Sequence, residues 1–106
     1  MMNQPYTIFF ERSGGFTGIP LSVQVSSVEL AKKDRDRLDK LMVESDICNL
    51  KNIKNENSAI RDQFDYLIRV KCDTVEKQFS FSDNTVPTDF LPLINYLLQL
   101  ALWKKS

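Results

Sequence analysis

Phe64, Tyr66, Ile68, Val70 and Cys72 alternate with Asp65, Leu67, Arg69 and Lys71, the longest period-two run in the chain. Side chains point to opposite faces of a strand at that period, so this segment predicts a central β-strand over residues 64–73. Asp73 and Thr74 supply a tight turn, after which Val75, Lys77, Phe79 and Phe81 alternate with Glu76, Gln78, Ser80 and Ser82. The two runs read as a hairpin, with the returning strand at 75–82. Whatever else the chain does, it must cover the apolar face of a sheet.

Two further strands stand near the start. Tyr6 to Arg12 is rich in β-branched and aromatic residues, with Ile8 and Phe10 on one side and Thr7 and Glu11 on the other. Residues 20–26 set Leu21, Val23 and Val25 against Ser22, Gln24 and Ser26, the pattern of a strand buried on one face. The cover comes from helices. Between about Glu29 and Ser45 the period changes, and Ala31, Leu38, Leu41, Met42 and Ser45 fall near one face of a helix expected over 31–45. The charge run from Lys32 to Lys40 reads as its solvated face, and Ser26 with Glu29 has the spacing of a capping box. A second helix is expected over 89–103 after a Thr88 or Asp89 cap, with Pro92 in its first turn, where the missing N–H removes no helical bond. Phe90, Ile94, Leu97, Leu98 and Ala101 form its core stripe. Leu93, Tyr96, Leu100 and Trp103 form a second apolar stripe, so this helix is deeply packed or meets a partner, a second copy of the chain included. The stretch from Asp46 to Asp62, with four asparagines and no clear period, reads as a long loop. The expected fold is a single α+β domain over residues 1–106, a four-stranded antiparallel sheet with two helices on one face in the order ββαββα.

Composition narrows the function. Lys plus Arg and Asp plus Glu both number 14, without the basic excess of a nucleic-acid binder. Apolar residues at 42% and charged residues at 26% place the chain among folding sequences rather than disordered ones. Histidine is absent, which removes the commonest general base and zinc ligand together. Ser13 therefore has no histidine to activate it, and no enzyme, cofactor or metal is expected. Cys48 and Cys72 lie 24 positions apart, without C-x-x-C spacing, and read as two unpaired reduced thiols. The opening residues carry no charged and apolar leader pattern, and the most apolar stretch, Phe90 to Trp103, falls short of the roughly 20 residues of a membrane span. These features predict a cytoplasmic address and no membrane partner.

The sharpest local signal is a loop. All three glycines, Gly14, Gly15 and Gly18, lie within five residues between the first two strands. Glycine serves where the backbone takes positive φ or approaches another chain closely, so the loop is either a shaped hairpin connection or a contact surface. A phosphate cradle fits poorly, because the loop lacks a P-loop lysine and leads into a strand. Phe16 and Ile19 either tuck under the sheet or are presented to a pocket in a partner.

The stretch Phe10-Glu11-Arg12-Ser13-Gly14-Gly15-Phe16-Thr17-Gly18-Ile19 resembles the opening motif of the emfourin family, small protein inhibitors of protealysin-like members of the thermolysin family of zinc metallopeptidases. The resemblance continues through residues 38–42, 64–68, 81–87 and 91–94. It implies a reversible inhibitor whose partner is a thermolysin- or protealysin-type metallopeptidase, with Arg12, Ser13, Gly14, Gly15, Phe16, Thr17, Gly18 and Ile19 as the candidate protease-binding residues. Peptidases of this class carry H-E-x-x-H on a helix beside an open cleft. An inhibitor blocks such a cleft by displacing the zinc-bound water or by filling substrate subsites, and the missing histidine favours the second route. An adaptor module for a non-protease partner is the alternative reading.

Overall fold

The computed structural model describes residues 5–14, 20–47, 53–55, 64–72, 74–83 and 85–105. Its strands are β1 (Tyr6–Gly14), β2 (Leu21–Ser26), β3 (Ile53–Asn55), β4 (Phe64–Cys72) and β5 (Val75–Ser82), and its helices are α1 (Lys32–Ser45) and α2 (Leu91–Lys105). They form one sheet in the order β2-β1-β4-β5-β3. The antiparallel pairs β1 with β2, β1 with β4, and β4 with β5 are those of the expected four-stranded sheet. β3 adds a fifth strand, parallel to β5, within the stretch read as loop. Three residues are too few to display a period, which is why the alternation signal missed it.

The register explains the core. Ile8 lies opposite Val25 and Val70, Phe10 opposite Val23 and Ile68, and Ile68 opposite Phe79, so each apolar set reaches the same face. Both helices close that face. Leu38 and Met42 of α1 and Leu93, Ile94 and Leu97 of α2 join the strand residues in one buried cluster. Burying each such side chain contributes roughly 1.5–3 kcal/mol. Leu41 and Leu98, expected in the core, are partly buried at its margin. The second stripe of α2 divides: Leu93 and Tyr96 are buried, Leu100 is partly so, and Trp103 is 81% exposed.

The helix starts differ from the sequence pattern. Ser26 makes no side-chain cap bond, and Ser27–Glu29 form a 3₁₀ turn that ends before α1 begins. Ala31 occupies the N-cap of α1 without a side-chain bond, and Asp46 ends the helix at φ 57, its N–H bonded to the Val43 carbonyl. Thr88–Phe90 likewise form a 3₁₀ turn, whose N-cap is Pro87 and makes no side-chain bond, and α2 follows from Leu91. Pro92 falls in the first turn of α2, as expected. Phe90 packs edge-on against Phe79 and Phe81, with ring centroids 5.4 and 5.2 Å away.

Two further corrections concern polar groups. Asp39 lies within the charge run read as solvated, yet it is buried and accepts a 2.6 Å hydrogen bond from the Tyr6 hydroxyl. Burial, with the bond to Asp39 added, pushes the Tyr6 phenol well above its ordinary value. The pair ties α1 to the start of β1, whose Tyr6 N–H also donates to Ser27 Oγ at 3.0 Å. Cys72, read as an unpaired thiol, is disulfide-bonded. The chain holds one other cysteine, Cys48, which lies outside the described residues. Sequence spacing was the wrong criterion, because a disulfide requires Cα atoms about 4.4–6.8 Å apart in space, whatever their separation along the chain.

Candidate functional site

The glycine loop leaves the sheet at the end where β1 finishes and β4 begins. Gly14 is opposite Phe64, Ser13 opposite Asp65 and Arg12 opposite Tyr66. Gly14 has φ 87, a left-handed conformation that a side chain would penalise, so this glycine is required by the backbone at the exit from the strand. Gly15, Phe16, Thr17, Gly18 and Ile19 lie outside the described residues.

Arg12 and Ser13, adjacent in sequence, serve opposite faces. Arg12 shares the helix-covered face with Phe10 and places its guanidinium 4.1 Å from the centroid of the Phe64 ring, a cation–π contact. Ser13 points to the open face, where it lines a shallow depression with Glu11, Asp65, Leu67 and Gln78. The candidate set read from the sequence is therefore split by the sheet at its first two members.

The sequence reading missed the residues that brace this end. Asp83, just after β5, accepts from the Tyr66 hydroxyl at 2.5 Å through Oδ1 and from the Phe64 N–H at 2.9 Å through Oδ2. Its own N–H donates to the Phe64 carbonyl at 3.1 Å. Tyr66 in turn stacks on Phe10, with centroids 6.2 Å apart. Burial first, then the bond to Asp83, pushes the Tyr66 phenol above its ordinary value, so it stays a neutral donor. Next to this, Ser82 Oγ donates to Asp65 Oδ1 at 2.9 Å, and Ser82 N–H donates to Thr85 Oγ1 at 2.8 Å. The signal that could have found Asp83 is an aspartate closing a hairpin whose partner strand starts with two aromatics, Phe64 and Tyr66. Among the described residues no group of three or more His, Cys, Asp or Glu side chains could hold a metal ion. Bonds from Asp83 and Ser82 thus tie β4 to the end of β5 next to Gly14, the last described residue before the glycine segment continues.

The family model described as Emfourin matches residues 10–98. The chain belongs to the Emfourin family. Its fold also matches a solved structure, emfourin (M4in) from Serratia proteamaculans, an M4 family peptidase inhibitor, with a TM-score of 0.52 and 17% identity over 88% of each chain. At that identity the likeness speaks for the shared fold. No curated protein matches the chain. The family match begins at Phe10 and so takes in Arg12, Ser13, Gly14 and the braces Phe64, Tyr66 and Asp83. Among the described residues no helix is long and apolar enough to cross a membrane.

Proposed function

We propose that this chain is a reversible protein inhibitor of a thermolysin- or protealysin-type zinc metallopeptidase, acting through the loop from Ser13 to Ile19. Membership of the Emfourin family is the observation that carries the reading, and the Serratia relative, an M4 family peptidase inhibitor by its description, supports it. The braced sheet end supports the choice of loop. An inhibitor gains affinity when its contact segment is held in the bound shape beforehand, because less ordering entropy is lost on association. Gly14 is held by β1–β4 pairing, and Phe64 opposite it is held by Asp83 and by the Arg12 guanidinium. The loop enters the cleft and fills substrate subsites, the glycines allow close backbone approach, and Phe16 is the apolar anchor. The zinc remains with the peptidase.

The disulfide at Cys72 bears on where this happens. Disulfides persist in oxidising surroundings and are rare in a reducing cytoplasm, so the bond favours an encounter outside the cytoplasm, against the address the sequence suggested. Truncating a buried anchor typically costs at least about 2 kcal/mol. Phe16→Ala should therefore weaken inhibition of the cognate peptidase by more than about tenfold, the equivalent of 1.4 kcal/mol, with an unchanged melting temperature. A melting temperature that falls in step with inhibition would show Phe16 packing under the sheet, and normal inhibition by a folded variant would remove the loop from the contact.

A further inference from the structure

The depression lined by Ser13 spans two rows of the open sheet face. Glu11, Leu67 and Ser80 stand side by side on β1, β4 and β5, and Ser13, Asp65 and Ser82 form the next row toward Gly14. The hollow measures about 320 Å³, and its lining includes Glu11, Ser13, Asp65, Leu67, Gln78 and Ser80.

Its charge is uncompensated. Among the described residues neither the Glu11 nor the Asp65 carboxylate has an ion-pair partner, and Asp65 Oδ1 accepts from Ser82 Oγ at 2.9 Å. Arg69, in the adjacent row of β4 on the same face, is engaged elsewhere. Its Nε donates to Gln78 Oε1 at 3.2 Å, and its guanidinium carbon lies 5.9 Å from the centroid of the Phe9 ring.

A second observation points to a ligand. Ser80 is only 5% exposed, yet among the described residues its hydroxyl makes no hydrogen bond, whereas that of Ser82 two residues on is bonded to Asp65. No fully buried polar side-chain atom lacks a partner among the described residues, so the unbonded Ser80 oxygen is the part of this residue that opens into the depression it lines. A nearly buried hydroxyl without a partner costs free energy that a bound donor would recover.

Two carboxylates select a cation, and the rest of the lining selects its kind. Hard divalent metals need a fuller set of oxygen ligands, and no group of three or more His, Cys, Asp or Glu side chains among the described residues could hold one. Leu67, between Glu11 and Ser80, gives the hollow an apolar floor, which suits the methylene stem of a long basic side chain whose head lies against the carboxylates. The carboxylates of Glu11 and Asp65 and the hydroxyls of Ser13 and Ser80 present more acceptor sites than the three donors of an ammonium can serve; a guanidinium brings five in a planar fork.

We propose that this depression binds an arginine side chain carried by the protein partner. That the arginine belongs to a peptidase rests on the proposed inhibitor function; the chemistry of the hollow does not. Ser13 belongs both to the depression and to the candidate protease-binding segment, so the two contacts are continuous.

Amide NMR spectra of the full chain titrated with N-acetylarginine methylamide should show saturable shifts at Glu11, Ser13, Asp65 and Ser80. The citrulline counterpart, neutral and of the same shape, should cause none. Glu11→Gln and Ser80→Ala should each weaken binding of the probe at least about threefold. Ser80→Ala should also leave the melting temperature unchanged, because its hydroxyl has no partner to lose. Absence of saturable shifts, equal shifts with citrulline, or tighter binding of the lysine counterpart overturns the arginine site. So does a Ser80→Ala chain that melts lower and binds the probe normally. Glu11→Lys, folded, should weaken inhibition of the cognate peptidase at least about tenfold, and unchanged inhibition overturns the assignment of the arginine to the peptidase. If the parent chain inhibits no peptidase, the inhibitor reading fails, and the probe titration alone decides the site.

Discussion

Replacing Asp83 with alanine tests whether the sheet end beneath the glycine loop is held by the bonds described. The substitution removes the acceptor of the Tyr66 hydroxyl and of the Phe64 N–H, at 2.5 and 2.9 Å. A hydrogen bond to a charged group contributes about 1.5–3 kcal/mol where it is sheltered. Asp83 is exposed, so water replaces part of each bond, and the pair together should contribute about 2 kcal/mol. Tyr66 is half-buried, and its hydroxyl loses a partner it cannot fully regain from solvent. For a domain of this size, 2 kcal/mol lowers the melting temperature by roughly 8–15 °C. Urea unfolding of Asp83→Ala, Tyr66→Phe and the double variant forms a cycle in which a coupling of about 1 kcal/mol is expected. Asp83→Asn keeps one carbonyl acceptor and should lose about half as much. The same variants, assayed below their melting temperature, should inhibit less well than the parent chain because Phe64 no longer pins Gly14. A loss below about 0.5 kcal/mol with no coupling would refute the brace.

Two other outcomes follow from groups deeper in the fold. Tyr6, Tyr66 and Tyr96 all titrate above the ordinary phenol value, so above about pH 10 the unfolded chain releases protons that the folded chain keeps. Stability is therefore full below pH 10 and falls as pH rises, by up to about 1.4 kcal/mol per pH unit for each tyrosine. Urea unfolding between pH 9 and 11 should show this fall, and it should be less steep for Tyr6→Phe; equal slopes would contradict the burial argument. Thiol titration of the denatured, unreduced chain should find no free cysteine, and Cys72→Ser should cost about 2–5 kcal/mol in unfolding experiments. Two titratable thiols would instead restore the reading of unpaired cysteines.

The parts of this molecule that were legible in its sequence share a physical cause. Leu21 to Val25 alternate between core and solvent, and so do Ile68 to Lys71 within the strand from Phe64 to Cys72, so burial writes itself into the chain as alternation. Leu38, Met42 and Ser45 of α1 mark a helix through the same logic at a different period. β3 has too few residues for any period, and the 3₁₀ turns before both helices use no side-chain cap, so neither left a local signature. Asp39 was hidden among exposed lysines because its partner, Tyr6, lies 33 residues away. Long-range polar pairs and the Cys72 disulfide depend on the assembled fold, not on a local pattern. Of the glycine cluster, Gly14 takes the left-handed backbone that a glycine permits, while Gly15 and Gly18 lie outside the described residues. The braces Phe64, Tyr66 and Asp83 became visible only once β1, β4 and the turn after β5 were brought together.

Inhibition is read out by titrating the purified, disulfide-intact chain into a panel of thermolysin- and protealysin-type peptidases while following cleavage of a peptide substrate. At least one of these peptidases should lose activity in a saturable manner with one equivalent of chain per active site. Activity should return on dilution, and the chain should remain uncleaved. Full activity of every peptidase at a large excess of folded chain would contradict the inhibitor reading.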